Sequence, residues 1–154
     1  MTASEAESRT IHATCIAQDD NAALLLGPSG CGKSDLALRC IYSHSFKHRF
    51  RLVSDDQVRL RVANGSLIAS PPETISGKLE VRGVGIVDVD HCPEAAVKLA
   101  VRLKPSGQIS RFPLEENQEF QSLDVRLPEI DLAPFESSAP IKLYLALKKF
   151  TSQV

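Results

Sequence analysis

The sequence carries little net charge and no long apolar run, and each of these absences excludes a class of function. Its 154 residues have a formal net charge of −1 at pH 7, so no overall attraction draws the chain to nucleic acid or to an anionic membrane. No apolar run approaches the roughly 18 residues that a membrane-spanning helix requires. We therefore expect no nucleic-acid partner and no membrane partner.

Signals for export and for disulfide bonding are also missing. The N-terminal segment MTASEAESRT lacks the basic and then apolar pattern of a secretory signal. The four cysteines show no Cys-x-x-Cys spacing, and we expect them to be reduced in the cytoplasm. Apolar residues make up 43% of the chain, which is enough for one normal core. We predict a flexible tail over residues 1–10 and a single domain over residues 11–154.

The pattern of apolar residues predicts one α/β domain with few helices and many hairpins. Residues 11–17 and 22–26 are apolar runs around a polar turn, and they predict a hairpin whose second strand is buried on both faces. Residues 33 to about 42 carry the apolar stripe of a helix. Alternating residues on both sides of Asn64-Gly65 predict a tight β-hairpin.

The second half of the chain gives weaker signals. Residues 95–103 alternate with period two and predict a strand, with a helix as the alternative. Residues 104–140 are rich in Pro and Ser and poorly periodic, and residues 141–147 predict a final strand. The number of hairpins favours a sheet with substantial antiparallel content over a purely parallel one.

A glycine-rich segment after the second predicted strand matches the phosphate-binding motif G-x-x-x-x-G-K-[ST] at every fixed position. Glycines allow backbone N–H groups to turn inward around anionic oxygens, and the following helix adds its unpaired amides. Lys33 would neutralise the outer phosphates, and the hydroxyl of Ser34 can ligate Mg²⁺. A glycine-rich turn before a helix is the alternative, and the flanking strand and helix favour the phosphate site. The predicted cofactor-binding residues are Gly27, Pro28, Ser29, Gly30, Cys31, Gly32, Lys33 and Ser34.

Two consecutive acids, Asp55 and Asp56, follow a short strand predicted over residues 52–54. P-loop enzymes place a metal-binding aspartate at the end of such a strand. A second carboxylate is useful as a base when the phosphate acceptor is an alcohol rather than water. An aspartate pair that only opens a turn is the alternative.

A histidine before the loop and a segment after it complete a recognisable pattern. His12 lies 21 positions before Lys33, and the segment LEVRGVGIVDV occupies residues 79–89. Together with the loop and the two aspartates, these features resemble the catalytic domain of HPr kinase/phosphorylase. The resemblance extends from about residue 10 to about residue 112, and a weaker likeness continues to the end of the chain. Without it, the VRGVG part of the segment predicts only a strand with a bulge.

The resemblance implies a fold and an activity. The fold is P-loop NTPase-like, of the phosphoenolpyruvate-carboxykinase-like kind, with a mixed, hairpin-rich sheet and few helices. The activity is Mg²⁺-dependent transfer of a phosphate from ATP to a serine of the phosphocarrier protein HPr. Inorganic phosphate reverses this reaction and releases pyrophosphate. Such an enzyme regulates the phosphotransferase system.

The resemblance also assigns roles to individual residues. Asp55 is implied as the proton acceptor for the serine hydroxyl, with His12 and Lys33 as further catalytic residues. Arg82 is expected to contact phosphate oxygens. Arg111, in the segment ISRFP, falls where the family has an active-site arginine, with a solvated loop residue as the alternative. The implied metal-side groups are Ser34, Glu80 and Asp56.

The chain departs from the family's usual pattern at both ends. The family commonly has a separate N-terminal domain, and it continues past the last strand with a Gly-Arg-Asn segment. The sequence therefore predicts a short form that consists of the catalytic domain alone, and it leaves a homo-oligomer as an open possibility. Two alternatives to a protein kinase also stay open, namely a small-molecule P-loop kinase and a nucleotide-sensing module with little turnover.

Overall fold

The computed structural model describes residues 7–43, 46, 49–112 and 118–151, and these residues form eleven strands and two α-helices. Residues 1–6 of the predicted tail lie outside the described part of the chain, as do residues 113–117 and 152–154. In the described part, neither helix is both long and apolar enough to cross a bilayer. The strands are β1 Ser8–His12, β2 Thr14–Gln18, β3 Asn21–Leu26, β4 Phe50–Ser54, β5 Gln57–Ala63, β6 Ser66–Ser70, β7 Lys78–Val81, β8 Gly85–Asp88, β9 Ala95–Leu103, β10 Glu119–Ser122 and β11 Val125–Leu132, and the helices are α1 Lys33–Ile41 and α2 Ala139–Thr151.

Most of the strands join one mixed sheet in which β9 is central. The sheet has the strand order β1-β5-β6-β9-β3-β2-β4, and β11 joins the second half of β9 and carries β10. Strands β3, β9 and β11 run parallel to one another, whereas the other pairings in this sheet are antiparallel. Strands β7 and β8 form a separate hairpin. The predicted α/β class with a mixed, hairpin-rich sheet and few helices is confirmed.

Strand β3 separates two apolar clusters, because alternate residues of a strand point to opposite faces. Ala23 and Leu25 belong to the cluster that also contains residues of α1 and α2. Leu24 and Leu26 belong to the second cluster, which contains residues of β5 and β6 and is flanked by side chains of β10 and β11. Among the described residues, the helices therefore cover one face of the sheet, and other strands of the same sheet, not helices, cover the second face. The prediction that this strand is buried on both faces is confirmed.

Several local predictions also agree with the structure. Helix α1 spans Lys33–Ile41, and Tyr42 is its C-cap. The turn between β5 and β6 has positive φ angles of 53° at Asn64 and 78° at Gly65, as the predicted hairpin requires. Residues 95–103 form strand β9 and not a helix.

The N-terminal apolar run is divided between two strands. Strand β1 begins at Ser8, three residues before the predicted domain boundary, and pairs with β5, whereas β2 pairs with β3. The chain changes partner at Ala13, whose N–H donates a hydrogen bond of 3.1 Å to the carbonyl of Asp56. A single apolar run therefore serves two pairings, and the end of β1 comes to lie beside the two aspartates.

The poorly periodic segment 104–140 contains two strands that the apolar pattern does not reveal. Six of the eight residues of β11 are half-buried, so the strand lacks the alternation of buried and exposed residues that a sheet with one solvent-exposed face shows. It also contains Pro128, and a proline within a run argues against a central strand. Pairing with β9 and β10 therefore decides the structure of β11.

The predicted final strand over residues 141–147 is wrong, because these residues lie in helix α2. The run IKLYLAL alternates in hydrophobicity, but Ile141 and Leu145 are exposed. The buried positions are Ala139, Leu143 and Leu147, which recur every four residues and form one face of a helix. With Ile141 and Leu145 exposed, the period of two in this run does not reflect burial, and the run also fits a helix.

We expect Leu143→Ala to lower the free energy of unfolding by about 2–5 kcal/mol, because Leu143 is fully buried in the helix-side cluster. Leu145→Ala is the matched control. It should change this free energy by about 0.5 kcal/mol or less, because Leu145 is 55% exposed. Urea denaturation of both variants beside the wild type measures the difference. Equal losses would mean that both leucines face the core, as in a strand, and would contradict α2.

Candidate active site

The loop between β3 and α1 has the backbone shape that an anion site needs. Gly27 and Gly32 have positive φ angles of 149° and 107°. A Cβ on Gly27 would lie 2.5 Å from the Sγ of Cys31, and one on Gly32 would lie 2.9 Å from the ring of Phe135. No side chain caps the start of α1, so the free amides of its first turn are available to an anion.

Lys33, the first residue of α1, folds back over this loop. Its Nζ donates hydrogen bonds of 2.7 Å to the carbonyl of Gly27 and 3.0 Å to that of Pro28, and the side chain is only 6% exposed. Both carbonyls are neutral, so the ammonium keeps its attraction for an anion. The lysine thus supplies a fixed positive charge at the predicted phosphate site.

Asp55 is buried and connects the loop helix to the sheet. Its Oδ1 accepts a hydrogen bond of 2.7 Å from the hydroxyl of Ser34 and one of 2.9 Å from the hydroxyl of Thr14. The backbone N–H of Glu80 lies 3.5 Å from its Oδ2. Asp55 follows β4, and the β2–β4 pairing brings Thr14 and the end of β4 to the same edge of the sheet. The hydroxyl and the carboxylate lie together where α1 begins.

Asp56 is exposed and has a different partner. Its Oδ1 lies 2.9 Å from Nε2 of His12, the last residue of β1. The φ angle of Asp56 is 70°, a left-handed conformation that aspartate tolerates better than most residues. The turn separates the two neighbouring carboxylates, since Asp55 contacts Ser34 and Asp56 contacts the histidine. Both side chains of the His12–Asp56 pair are solvent-accessible, with 45% and 71% of their surfaces exposed, so a substrate can reach them.

The segment that carries the family resemblance forms the β7–β8 hairpin. Glu80 lies in β7 opposite Ile86, and its side chain is exposed. The turn contains Arg82, and it is closed by a hydrogen bond of 2.9 Å from the N–H of Val84 to the carbonyl of Val81. The alternative of a bulged strand is therefore wrong. The glycines of this segment serve a hairpin turn that leaves Arg82 exposed.

The loop, the Asp56 side chain and the β7–β8 hairpin enclose one cavity of about 610 Å³. This volume lies within the roughly 300–1,000 Å³ range of small-molecule sites. The cavity brings together most of the residues that the sequence predicts. They are His12, Ser29, Gly30, Gly32, Lys33, Ser34, Asp56, Glu80 and Arg82.

Arg111 is one of the predicted residues that do not line this cavity, with Gly27, Pro28 and Cys31 of the loop. It is exposed in a bend after β9, and it is not one of the described residues that line the cavity. Its role as a site residue has no support in the geometry, and the alternative of a solvated loop residue agrees with its exposure. Asp55 does not line the cavity either, but its carboxylate lies within hydrogen-bond distance of Ser34, which does.

Thr14 and Phe135 are among the cavity residues that were not predicted from the sequence. Thr14 is a fully buried polar residue within an apolar run, and that position is a signal that could have revealed it. Phe135 lies in the connection between β11 and α2 and lines the cavity. Nothing in the local sequence indicates it, because its place depends on the packing of distant segments.

The donor set at the start of α1 fits a magnesium ion held jointly with phosphates. In the described residues, no three His, Cys, Asp or Glu side chains form a ready-made metal cluster. Mg²⁺ usually needs only one or two carboxylates, because waters and substrate phosphates complete its shell. Ser34 and Asp55 offer a hydroxyl and a carboxylate that already lie 2.7 Å apart. The oxygen-only chemistry of this pair suits a hard cation beside the phosphate loop.

Comparisons with known proteins identify one family. The family model described as "HPr Serine kinase C-terminal domain" matches residues 3–141. The HPr kinase/phosphorylase of Geobacillus thermodenitrificans is 35% identical over 120 residues, which cover 71% of this chain and 37% of that protein. The HPr kinase/phosphorylase of Clostridium tetani is 50% identical over 66 residues, which cover 43% of this chain and 20% of that protein. This chain therefore spans a fifth to about two fifths of the length of these curated relatives.

A comparison with solved structures identifies the same family over a larger part of the chain. The structure of the Hpr(Ser) kinase/phosphatase from Coxiella burnetii matches with a TM-score of 0.73 at 26% sequence identity. The match covers 92% of this chain and 95% of that one. The family resemblance and the fold class predicted from the sequence are both confirmed.

We expect iodoacetamide to alkylate Cys31 faster than the other three cysteines. Cys31 is partly exposed in the loop, whereas Cys15, Cys40 and Cys92 are buried. Burial raises the pKa of Cys40 to about 12 and also raises the pKa of Cys15 and Cys92. Near pH 8, these three cysteines therefore contain little reactive thiolate.

Peptide mass spectrometry at a series of times measures the four rates, and Cys31→Ser is the matched control. Inorganic pyrophosphate should slow the reaction at Cys31 only, because an anion bound to the loop amides holds the loop that carries this thiol and restricts the approach of the reagent. Preferential modification of a buried cysteine would contradict the loop geometry. Equal rates with and without pyrophosphate would argue against an anion site.

Proposed function

We propose that this chain, which belongs to the HPr serine kinase C-terminal domain family, transfers a phosphate from ATP to a serine of an HPr-type phosphocarrier protein. We also propose that inorganic phosphate reverses the transfer and that pyrophosphate is then released. One observation supports this function best. The two neighbouring carboxylates Asp55 and Asp56 contact different groups at one cavity, a P-loop hydroxyl and a histidine. One carboxylate is thus available for the nucleotide and the other for an acceptor.

The phosphate chain binds to the loop and to Lys33 in this proposal. The free amides of α1 and the buried ammonium attract the outer phosphates. Ser34 and Asp55 would hold a magnesium ion, which would supply positive charge to the phosphate oxygens. Glu80 lines the same cavity and adds a carboxylate on the metal side.

The family resemblance names Asp55 as the proton acceptor, but the geometry supports exchanging its role with that of Asp56. Asp55 is only 8% exposed and accepts two hydroxyl hydrogen bonds, so a serine of another protein cannot easily reach it. Asp56 lines the cavity, and its carboxylate is held by His12. We therefore assign the metal side to Asp55 and the proton transfer to Asp56.

The forward reaction then has a definite path for each atom. The serine oxygen of the acceptor forms a bond to the terminal phosphorus of ATP, and its proton passes to the carboxylate of Asp56. The bond from that phosphorus to the oxygen of ADP breaks, and ADP leaves. In reverse, a phosphate oxygen attacks the phosphoserine, and Asp56 returns the proton to the departing serine oxygen. Arg82, exposed at the turn of the β7–β8 hairpin, would contact the transferred phosphate.

One labelling assay tests the function. The protein is incubated with radiolabelled ATP, Mg²⁺ and purified HPr, and we expect labelled phosphoserine on HPr. An HPr variant with alanine at the target serine is the control for the acceptor, and Lys33→Ala is the control for the loop and should lose both binding and transfer. Label on a metabolite would instead support a small-molecule kinase. Nucleotide binding without transfer would support a sensing module.

We expect Asp56→Asn to slow transfer by about 10²-fold or more while nucleotide affinity changes little, because the amide cannot accept the serine proton. Asp55→Asn is the matched neighbour. It should weaken Mg²⁺-dependent nucleotide binding, because it removes the charge beside Ser34. Calorimetry measures binding and the labelling assay measures transfer. The opposite result, with normal binding and slow transfer only for Asp55→Asn, would return the proton transfer to Asp55.

A further inference from the structure

The connection between β11 and α2 leaves the sheet beside the phosphate loop. Strands β3, β9 and β11 are parallel, and their last residues are aligned, with Leu26 opposite Arg102 and Leu103 opposite Leu132. The N–H of Lys104 donates a hydrogen bond of 3.0 Å to the carbonyl of Leu132, which extends the alignment past the strand ends. In open α/β sheets, ligands bind in the crevice outside the carboxyl ends of parallel strands. The residues after β11 therefore reach the crevice in which the loop lies.

Arg39 of α1 holds this connection in place. Its guanidinium donates hydrogen bonds to the carbonyls of Pro134 and Glu136, the second at 3.4 Å. It also pairs with Asp35 at 3.0 Å, one turn earlier on the helix. The backbone on both sides of Phe135 is thus tied to the helix that begins at the phosphate loop. A planar guanidinium with several donors is suited to such a clamp.

The side chain of Phe135 nevertheless remains in solvent. It is 70% exposed, yet it lines the cavity. Its ring edge lies over the last glycine of the loop, since a Cβ on Gly32 would come within 2.9 Å of its Cζ and 3.2 Å of its Cε1. Phe135 is therefore an exposed aromatic ring on a tethered backbone, next to the amides that would hold phosphates. Leu38, further along α1, adds an apolar surface to the same cavity.

We propose that Phe135 is the surface on which the base of the bound nucleotide stacks. This inference rests on the proposed use of ATP and specifies how the same site would recognise it. The phosphates would occupy the loop, and the base, the flat apolar end of the nucleotide, needs an aromatic or apolar surface nearby. Phe135 offers that surface on a backbone held in advance, so little ordering is required on binding.

A pair of ligands that differ only in the presence of the nucleoside tests the proposal. Calorimetry with Mg²⁺ measures the affinity of wild type and Phe135→Ala for ATP and for inorganic tripolyphosphate. We expect the substitution to weaken ATP binding by about 5- to 100-fold, the range for loss of one base–aromatic stack. Its affinity for tripolyphosphate should change by less than a factor of about two, because this ligand has no base to stack.

Two further variants separate stacking from local packing. Phe135→Leu keeps an apolar contact over Gly32 without an aromatic face, and it should resemble Phe135→Ala. Phe135→Trp should keep or improve ATP binding. It also places a single tryptophan in a chain that has none, so its fluorescence should change when ATP is added and stay constant when tripolyphosphate is added.

Each other outcome has a definite meaning. Equal weakening of ATP and tripolyphosphate by Phe135→Ala would overturn stacking and show that the residue only shapes the loop. Unchanged binding of both would also overturn it, and a raised KM for HPr alone would make Phe135 a contact for the protein substrate. If the wild type binds tripolyphosphate but not ATP, the proposed phosphate site is confirmed and the proposed base site is wrong. If it binds neither ligand, the proposed function itself is wrong.

Discussion

The candidate site depends on the hydrogen bonds that the buried carboxylate of Asp55 accepts. This carboxylate accepts hydrogen bonds from Ser34 at the start of α1 and from Thr14 in β2, and it lies beside the N–H of Glu80 in β7. Three segments distant in sequence are thus held around one buried charge. A buried carboxylate is tolerated only when its oxygens are well bonded, and no buried side-chain nitrogen or oxygen among the described residues lacks a partner. Loss of either hydroxyl partner would leave the buried carboxylate with fewer hydrogen bonds and would destabilise it.

The sheet divides the site into two sides with different strand arrangements. The parallel strands β3, β9 and β11 carry the phosphate loop and the connection that contains Phe135. The antiparallel pair β1 and β5 carries His12 and the turn with Asp56. Parallel strands end at a common edge, which suits an extended ligand such as a nucleotide. The β1–β5 pair and the separate β7–β8 hairpin border the same cavity with His12, Asp56 and Arg82, and they leave an exposed face for an acceptor.

The parts of the site that could be predicted are those encoded in contiguous residues. The eight positions from Gly27 to Ser34 specify the loop, and the following apolar stripe specifies α1, so both follow from local pattern alone. Phe135 could not be predicted, because its place depends on contacts with Arg39 and Gly32, about a hundred positions away. Helix α2 was assigned as a strand for a related reason. Its sequence fits two periods, and only packing against the sheet decides that Leu143 is buried and Leu145 is not.

The two neighbouring aspartates have different partners in the structure, Ser34 for Asp55 and His12 for Asp56. The sequence places both acids after β4, but it does not indicate which partner each one contacts. That choice is made by a turn of four residues, in which the hydroxyl of Ser54 donates to the carbonyl of Gln57 and the N–H of Gln57 donates to the carbonyl of Asp55 at 2.8 Å.

The turn forces Asp56 into a left-handed conformation, with φ of 70°. Such a conformation costs most residues about 1–2 kcal/mol, and aspartate and asparagine adopt it more readily. The same residue type is therefore favoured twice at position 56, once for the shape of the turn and once for a carboxylate beside His12. Because asparagine shares the backbone tolerance but not the charge, the shape and the chemistry are separable properties of this position. The structure of the turn does not depend on the reaction that its carboxylate is proposed to serve.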